Sequence, residues 1–116
     1  DLKVRTKKFA VSCVLFVQKL ESSITVDVIS KQIIKSASST AANYRASCRA
    51  KSNADFVYKL KVVEEEIDET LFWLEFIEDL NLLCNLNELK SLKQEANELV
   101  AIFTASIKTL KGKNKY

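Results

Sequence analysis

The chain contains no proline and a single glycine, Gly112, close to its C-terminus. Hairpin turns need positive φ, which glycine supplies, and proline is the usual breaker between short strands. A 116-residue sequence stripped of both has little with which to build a sheet, and it points to an all-α protein. At this length the expectation is one domain spanning 1–116, burying roughly two-thirds of the surface its unfolded chain exposes.

Apolar spacing divides the chain into helices. Phe9, Cys13, Phe16 and Leu20 alternate steps of four and three, predicting an amphipathic first helix from about Thr6 to Leu20. Glu21-Ser22-Ser23 ends it, and Asp27 is the expected N-cap of the second. The inner positions of that second helix are Ile29, Ile33, Ser36, Thr40, Asn43, Ser47 and Ala50, a seam of mostly small and partly polar residues. Such a seam lets a neighbouring backbone come close, and a buried Asn43 must then find hydrogen-bond partners.

Lys51-Ser52-Asn53 is the next break, with Ser52 or Asn53 placed to cap a third helix. Its heptad-like seam is Phe56, Leu60, Val63, Ile67, Thr70, Leu74 and Ile77. A loop near Asn81 to Asn87 precedes a fourth helix with its seam at Leu89, Leu92, Ala96, Leu99, Phe103, Ser106 and Leu110. Gly112 and the lysine-rich end KGKNKY are expected to terminate it. Four helices with short connections predict an antiparallel up-down-up-down bundle.

Two outer faces stand out. On a wheel at about 100° per residue, Lys31, Lys35, Arg45 and Arg49 cluster within roughly 80°, opposite the small-residue seam. Over about 27 Å of helix this stripe is either a solvated face or a track for several phosphates. Lys3, Arg5, Lys7 and Lys8 at one terminus, and Lys108, Lys111, Lys113 and Lys115 at the other, extend it if the termini fold toward it. The second set is apolar. Ile34, Ala37, Ala41, Tyr44 and Cys48 widen the non-polar arc of the second helix. Tyr58, Val62, Phe72, Trp73, Phe76 and Leu80 lie opposite the seam of the third. A surface helix of a monomer is not apolar nearly all round, so Ile34, Tyr44, Phe72, Trp73 and Phe76 are candidate subunit-contact residues. The competing reading covers Trp73 and Phe76 with the first helix or with the loop after Leu80.

Catalysis finds no support. There is no histidine, so Cys13, Cys48 and Cys84 lack the usual base and read as reduced thiols, and Ser38 and Ser39 sit on no strained nucleophile turn. The carboxylates Glu64, Glu65, Glu66, Asp68 and Glu69 lack the Glu-x-x-His pairs that hold metals in helical bundles. No metal and no cofactor are expected. No apolar run approaches the roughly 20 residues of a membrane span and no signal segment opens the sequence, so the expected location is the cytoplasm. Charge is uneven: residues 1–61 carry 12 Lys/Arg against 4 Asp/Glu, a net +8, while residues 62–116 carry 6 against 11, a net −5. Such a division serves helix-to-helix pairing or presents a basic face to a polyanion.

Four segments carry a resemblance: RTKKFA at Arg5–Ala10, QIIKSASSTAANYRASCRAKSNADFVYKL at Gln32–Leu60, DETLFWLEFIEDL at Asp68–Leu80, and EANELVAIFTASIKTLK at Glu95–Lys111. Together they resemble the bacterial four-helix-bundle proteins encoded within 23S rRNA intervening sequences. The match spans almost the whole chain. The ordered series Arg-Thr-Lys-x-Phe-Ala, Ala-Asn-Tyr-Arg, Ala-Asp-Phe and Asp-Glu-Thr-x-x-Trp-Leu is specific in combination. One departure is Ala46, where the family often has Glu shortly after the Asn-x-x of the second helix. The resemblance implies a left-handed bundle assembling as a ring-shaped homopentamer, of a class sometimes labelled ribosomal protein. The chain is also similar to the accessory bundle proteins of diversity-generating retroelements, which partner a reverse transcriptase and nucleic acid. What this implies is a binding module, not an enzyme. Lys31, Lys35, Arg45 and Arg49 are then sequence-nonspecific phosphate ligands toward RNA or the ribosome. The alternative is an adaptor that anchors a protein such as a reverse transcriptase on Trp73 and Phe76.

Overall fold

A computed structural model of the chain describes residues 1–113. They form four α-helices in sequence: α1 (Leu2–Gln18), α2 (Ile24–Ser47), α3 (Asn53–Asp79) and α4 (Leu86–Lys113). Successive helices pack as close neighbours and α4 returns beside α1 with a sparser contact, which makes an up-down-up-down bundle measuring 52 × 23 × 20 Å.

Each helix begins where a short polar side chain can take up an orphan N–H. Asp1 accepts from the Lys3 N–H at 2.9 Å, so α1 starts at Leu2, about four residues before the Thr6 that periodicity suggests. Ser23 caps α2 by accepting from the Val26 N–H at 3.0 Å. Asp27 is therefore not the N-cap: it lies inside the first turn, where its carboxylate accepts from the Ser22 hydroxyl at 3.1 Å. Ser52 caps α3 by accepting from the Asp55 N–H at 3.1 Å, and Asn85 caps α4 by accepting from the Glu88 N–H at 3.0 Å.

The helix ends follow the same logic. Asn81, at φ 53°, ends α3 in the left-handed conformation that asparagine tolerates better than most residues, and the Leu82 N–H donates back to the Ile77 carbonyl. Gly112 has no such role, because its φ is not positive and α4 runs through it to Lys113. The termination expected there falls on residues 114–116, outside the described residues.

The core is the set of seams. Phe9, Cys13 and Phe16 from α1, Ile29, Ile33 and Ala37 from α2, Val63, Ile67 and Leu74 from α3, and Leu89, Leu99 and Phe103 from α4 are all buried. Near the ends, Val57 is more buried than Phe56 and Ile107 more than Ser106, small rotations of the periodic reading. Most of the buried hydroxyls are satisfied within their own helices, the Ser30 Oγ on α2 being buried without a partner. Thr40 donates to the Ser36 carbonyl at 2.9 Å, Ser47 to the Tyr44 carbonyl at 2.6 Å, and Asn43 to the Ser39 carbonyl at 2.8 Å. A serine or threonine that returns its proton to the preceding turn behaves as a small core residue, which explains how so polar a seam can be buried. One contact crosses helices: the Ser36 and Thr70 hydroxyls lie 2.7 Å apart at the centre of the α2–α3 seam.

Candidate functional site

The four basic residues of the stripe, Lys31, Lys35, Arg45 and Arg49, are all exposed, but only the first three lie on α2: the helix ends at Ser47, short of the Ala50 that periodicity suggests, and Arg49 sits in the turn just past its C-cap, Cys48. α2 holds them there because its opposite face is occupied by Ile29, Ile33, Ser36 and Thr40. None of the four makes an ion pair among the described residues. The ion pairs that do form are Arg5 with Glu95 and Glu98, Lys19 with Glu88, Lys59 with Asp55, and Lys93 with Glu78. Lys35 stands close enough to Glu66 on α3 to draw that carboxyl's pKa down. Burial and the neighbouring Glu69 and Glu65 outweigh it, so the Glu66 carboxyl titrates above its ordinary value.

The flanking lysines and arginine divide by location. Arg5 is turned toward α4, where its guanidinium grips Glu95 at 2.7 and 2.8 Å and reaches Glu98 at 3.1 Å. Its charge is committed to holding the bundle, and those hydrogen bonds raise its pKa further. Lys3 and Lys7 line a groove between α1 and α2 together with Arg45. Lys108 and Lys111 lie on α4, which α3 and α1 flank, and Lys111 is held below its ordinary pKa chiefly by Lys61 of α3. They do not continue the α2 stripe. Lys115 and the side chain of Lys113 fall outside the described residues.

The apolar candidates also separate. Phe72 and Phe76 on α3 are 52% and 38% exposed, and Ile34 on α2 is 40% exposed. Trp73 is partly buried between Phe72 and Phe76, its ring 5.0 and 5.5 Å from theirs at steep angles, and its Nε1 is buried without a hydrogen-bond partner. The first helix does not cover this cluster, since α1 packs on α2 and α4 and not on α3. Tyr44 has a different position. Its ring meets Phe103 edge-on at 5.4 Å and lines a cavity at the end of the bundle with Leu2, Phe56 and Leu110. That ring serves packing inside the protomer.

Among the described residues no group of three or more His, Cys, Asp or Glu is placed to hold a metal ion. Cys13 is enclosed in the core, where burial pushes its thiol up to about 12, and a thiol so protonated is no nucleophile. What the surface offers among the described residues is exposed charge and apolar area.

The 23S rRNA-intervening sequence protein family matches residues 1–105. The chain belongs to that family. A solved structure bears out the fold of this intervening-sequence protein: a protein of unknown function from the S23 ribosomal protein family of Bacteroides thetaiotaomicron is similar to it. The two are 29% identical, with a TM-score of 0.80 over 93% of this chain and 99% of that one. No protein in the curated comparison matches the chain. No helix among the described residues is long and apolar enough to cross a membrane.

Periodicity places the basic stripe and the α3 aromatics on outer faces, and the stripe, Phe72 and Phe76 are exposed there. What it missed is the outer face of α1, where Val4, Val11 and Leu15 are exposed. Their steps of seven and four are the signal of a second apolar face, and they line the same groove as Lys3, Lys7 and Arg45.

Proposed function

We propose that this protein is a non-enzymatic, self-assembling bundle of the bacterial cytoplasm that associates with structured RNA of the ribosomal kind through the outer face of α2. The observation that carries the reading is a row of four cations, Lys31, Lys35 and Arg45 on α2 and Arg49 in the turn that follows it, all exposed and paired with no carboxylate among the described residues. Unpaired cations in line are suited to phosphates, because a backbone contact requires charge and reach but no base-reading geometry. Membership of a family named for 23S rRNA intervening sequences supports RNA as the polyanion. Assembly, as a homopentamer by resemblance to that family, is supported by the exposed Phe72, Phe76 and Ile34.

Binding of this kind depends steeply on salt, because each neutralised phosphate releases a counterion. With a base-paired RNA hairpin as probe, the dissociation constant is expected to rise linearly with salt on logarithmic axes. The double variant Lys35→Glu/Arg49→Glu is expected to bind about tenfold more weakly or worse, with a shallower slope. Absence of salt-dependent RNA binding by the unaltered protein, or indifference to this double reversal, overturns the reading. The exposed aromatics favour a second reading, an adaptor holding a protein such as a reverse transcriptase. Co-purification with one protein, abolished by Trp73→Ala, would support it over the first.

A further inference from the structure

Two surfaces of the protomer carry apolar side chains that nothing within it covers, and they bear opposite charge. On α1, Val4, Val11 and Leu15 face outward, and with Ala41 and Ala42 of α2 they line a groove of about 730 Å³ running along the α1–α2 seam. Small residues on the α2 wall leave the groove room for a bulky side chain. Lys3, Lys7 and Arg45 line it too, three cations against the single carboxylate of Asp1, which is taken up in capping α1. Ile34 lies one helical turn before Ser38, another lining residue, and so prolongs the same face.

The second surface is on α3, which α1 does not touch. Phe72, Phe76 and Leu80 recur every four residues as one exposed ridge about 12 Å long, comparable with the roughly 16 Å from Val4 to Leu15. Its exposed flanks are acidic, at Glu65, Asp68 and Glu69. Neither these three carboxylates nor Lys3, Lys7 and Arg45 form an ion pair among the described residues.

Ridge against ridge packed in parallel would bring Glu65, Asp68 and Glu69 onto their own copies, and packed antiparallel would offer them none of the three groove cations; groove against groove likewise leaves those cations without the ridge carboxylates. Ridge in groove joins aromatic rings to a small-residue wall and carboxylates to cations.

We propose that the α3 ridge of one copy seats in the α1–α2 groove of the next, so that the protein assembles head to tail. This rests on the self-assembly reading above and adds which surfaces meet. A contact between two different patches leaves one of each open at every step, and it ends only when a ring closes.

Two variants test it together, Val11→Glu in the groove and Phe76→Glu on the ridge, both at exposed positions, with circular dichroism to establish that each is folded. Light scattering should give the unaltered protein a mass several times 13.1 kDa and each variant alone a mass near 13.1 kDa. Mixing them should produce a complex of twice that mass, because the groove-blocked copy still offers a ridge and the ridge-blocked copy still offers a groove. Lys7→Glu supplies a milder groove variant should Val11→Glu fail to fold, and it too should lower the mass. If the unaltered protein is a monomer, the self-assembly reading and this pairing fall together. If it assembles and the groove variants leave its mass unchanged, or the mixture yields no complex, only the pairing is overturned.

Discussion

The residue that most tightly limits the packing is Ser36. Its hydroxyl lies 2.7 Å from that of Thr70, and Thr70 in turn donates to the Glu66 carbonyl at 2.8 Å, so α2 and α3 meet across two small side chains. Ser36→Ala removes one buried hydrogen bond and leaves Thr70 its helical acceptor, an expected loss of about 1 kcal/mol. Ser36→Leu must push the helices apart, and overpacking of that kind is expected to cost about 3 kcal/mol. Thermal unfolding separates the two, and a leucine tolerated as well as alanine would mean that the seam is not closely packed. One turn before Thr70, Glu66 gives a pH signature. Burial, Glu69 and Glu65 raise its carboxyl above the ordinary 4.5 in the folded state despite Lys35. A raised acid binds its proton more tightly when folded, so its ionisation costs stability at neutral pH and the cost disappears as the pH falls below about 4.5. Much of the group remains in solvent, so the effect is small. Glu66→Gln is expected to gain up to about 0.5 kcal/mol at pH 7 and nothing at pH 4. A loss at pH 7 would show that attraction to Lys35 outweighs burial.

Among the elements, α1 and α4 are the least tightly joined, their contact being the sparsest of the four helix pairs that touch. Arg5 compensates. Its guanidinium engages Glu95 through two nitrogens and Glu98 through one, a fork that lysine cannot reproduce. Arg5→Ala and Arg5→Lys are both expected to lose about 1 kcal/mol and to speed amide exchange in α1 ahead of α3, with the difference shrinking in high salt. Unchanged α1 exchange in both variants would refute the role. The helices themselves were legible in the sequence, since a buried stripe must repeat at the helical period, and the seams of α2 and α3 are nearly the ones periodicity gives. Boundaries were less so. Apolar spacing begins only where a helix meets the core, so the first turn of α1, held by Asp1 and facing solvent at Lys3 and Val4, carries no such signal. Ser23 and Asp27 are both good caps, and only the chain path decides between them. Tyr44 reads as surface on a wheel, yet its ring reaches back to Phe103, because a long side chain at the edge of a seam can still reach the core. The α1 groove is not legible in the sequence for a related reason: once Phe9, Cys13 and Phe16 account for a core face, Val4, Val11 and Leu15 look like scattered surface residues until α2 is placed beside them.

At the scale of the whole molecule, the +8 half of the sequence forms α1, α2 and the start of α3, while the −5 half forms most of α3 and all of α4. A few ion pairs, Arg5 with Glu95 and Lys19 with Glu88 among them, bring the halves together. Two further pairs, Lys59 with Asp55 and Lys93 with Glu78, form within the halves. Arg45 belongs to the groove, whereas Lys31, Lys35 and Arg49 do not line it and stay open when a neighbour occupies it. If copies join head to tail, each contributes a further α2 stripe, and several weak sites on one particle bind a long polyanion far more tightly than one site does. The monomeric Val11→Glu variant therefore isolates the contribution of assembly, because it leaves Lys31, Lys35 and Arg49 in place. Against an RNA hairpin shorter than the 52 Å long axis of one bundle, its affinity should equal that of the unaltered protein. Against an RNA several times that length it should fall by about 100-fold, the scale expected when simultaneous engagement is lost. Lys31→Glu/Arg49→Glu should show the opposite pattern, weakening both RNAs while the mass in light scattering stays unchanged. Equal losses on short and long RNA for Val11→Glu would place the nucleic-acid contact in the groove and not on the outer stripe.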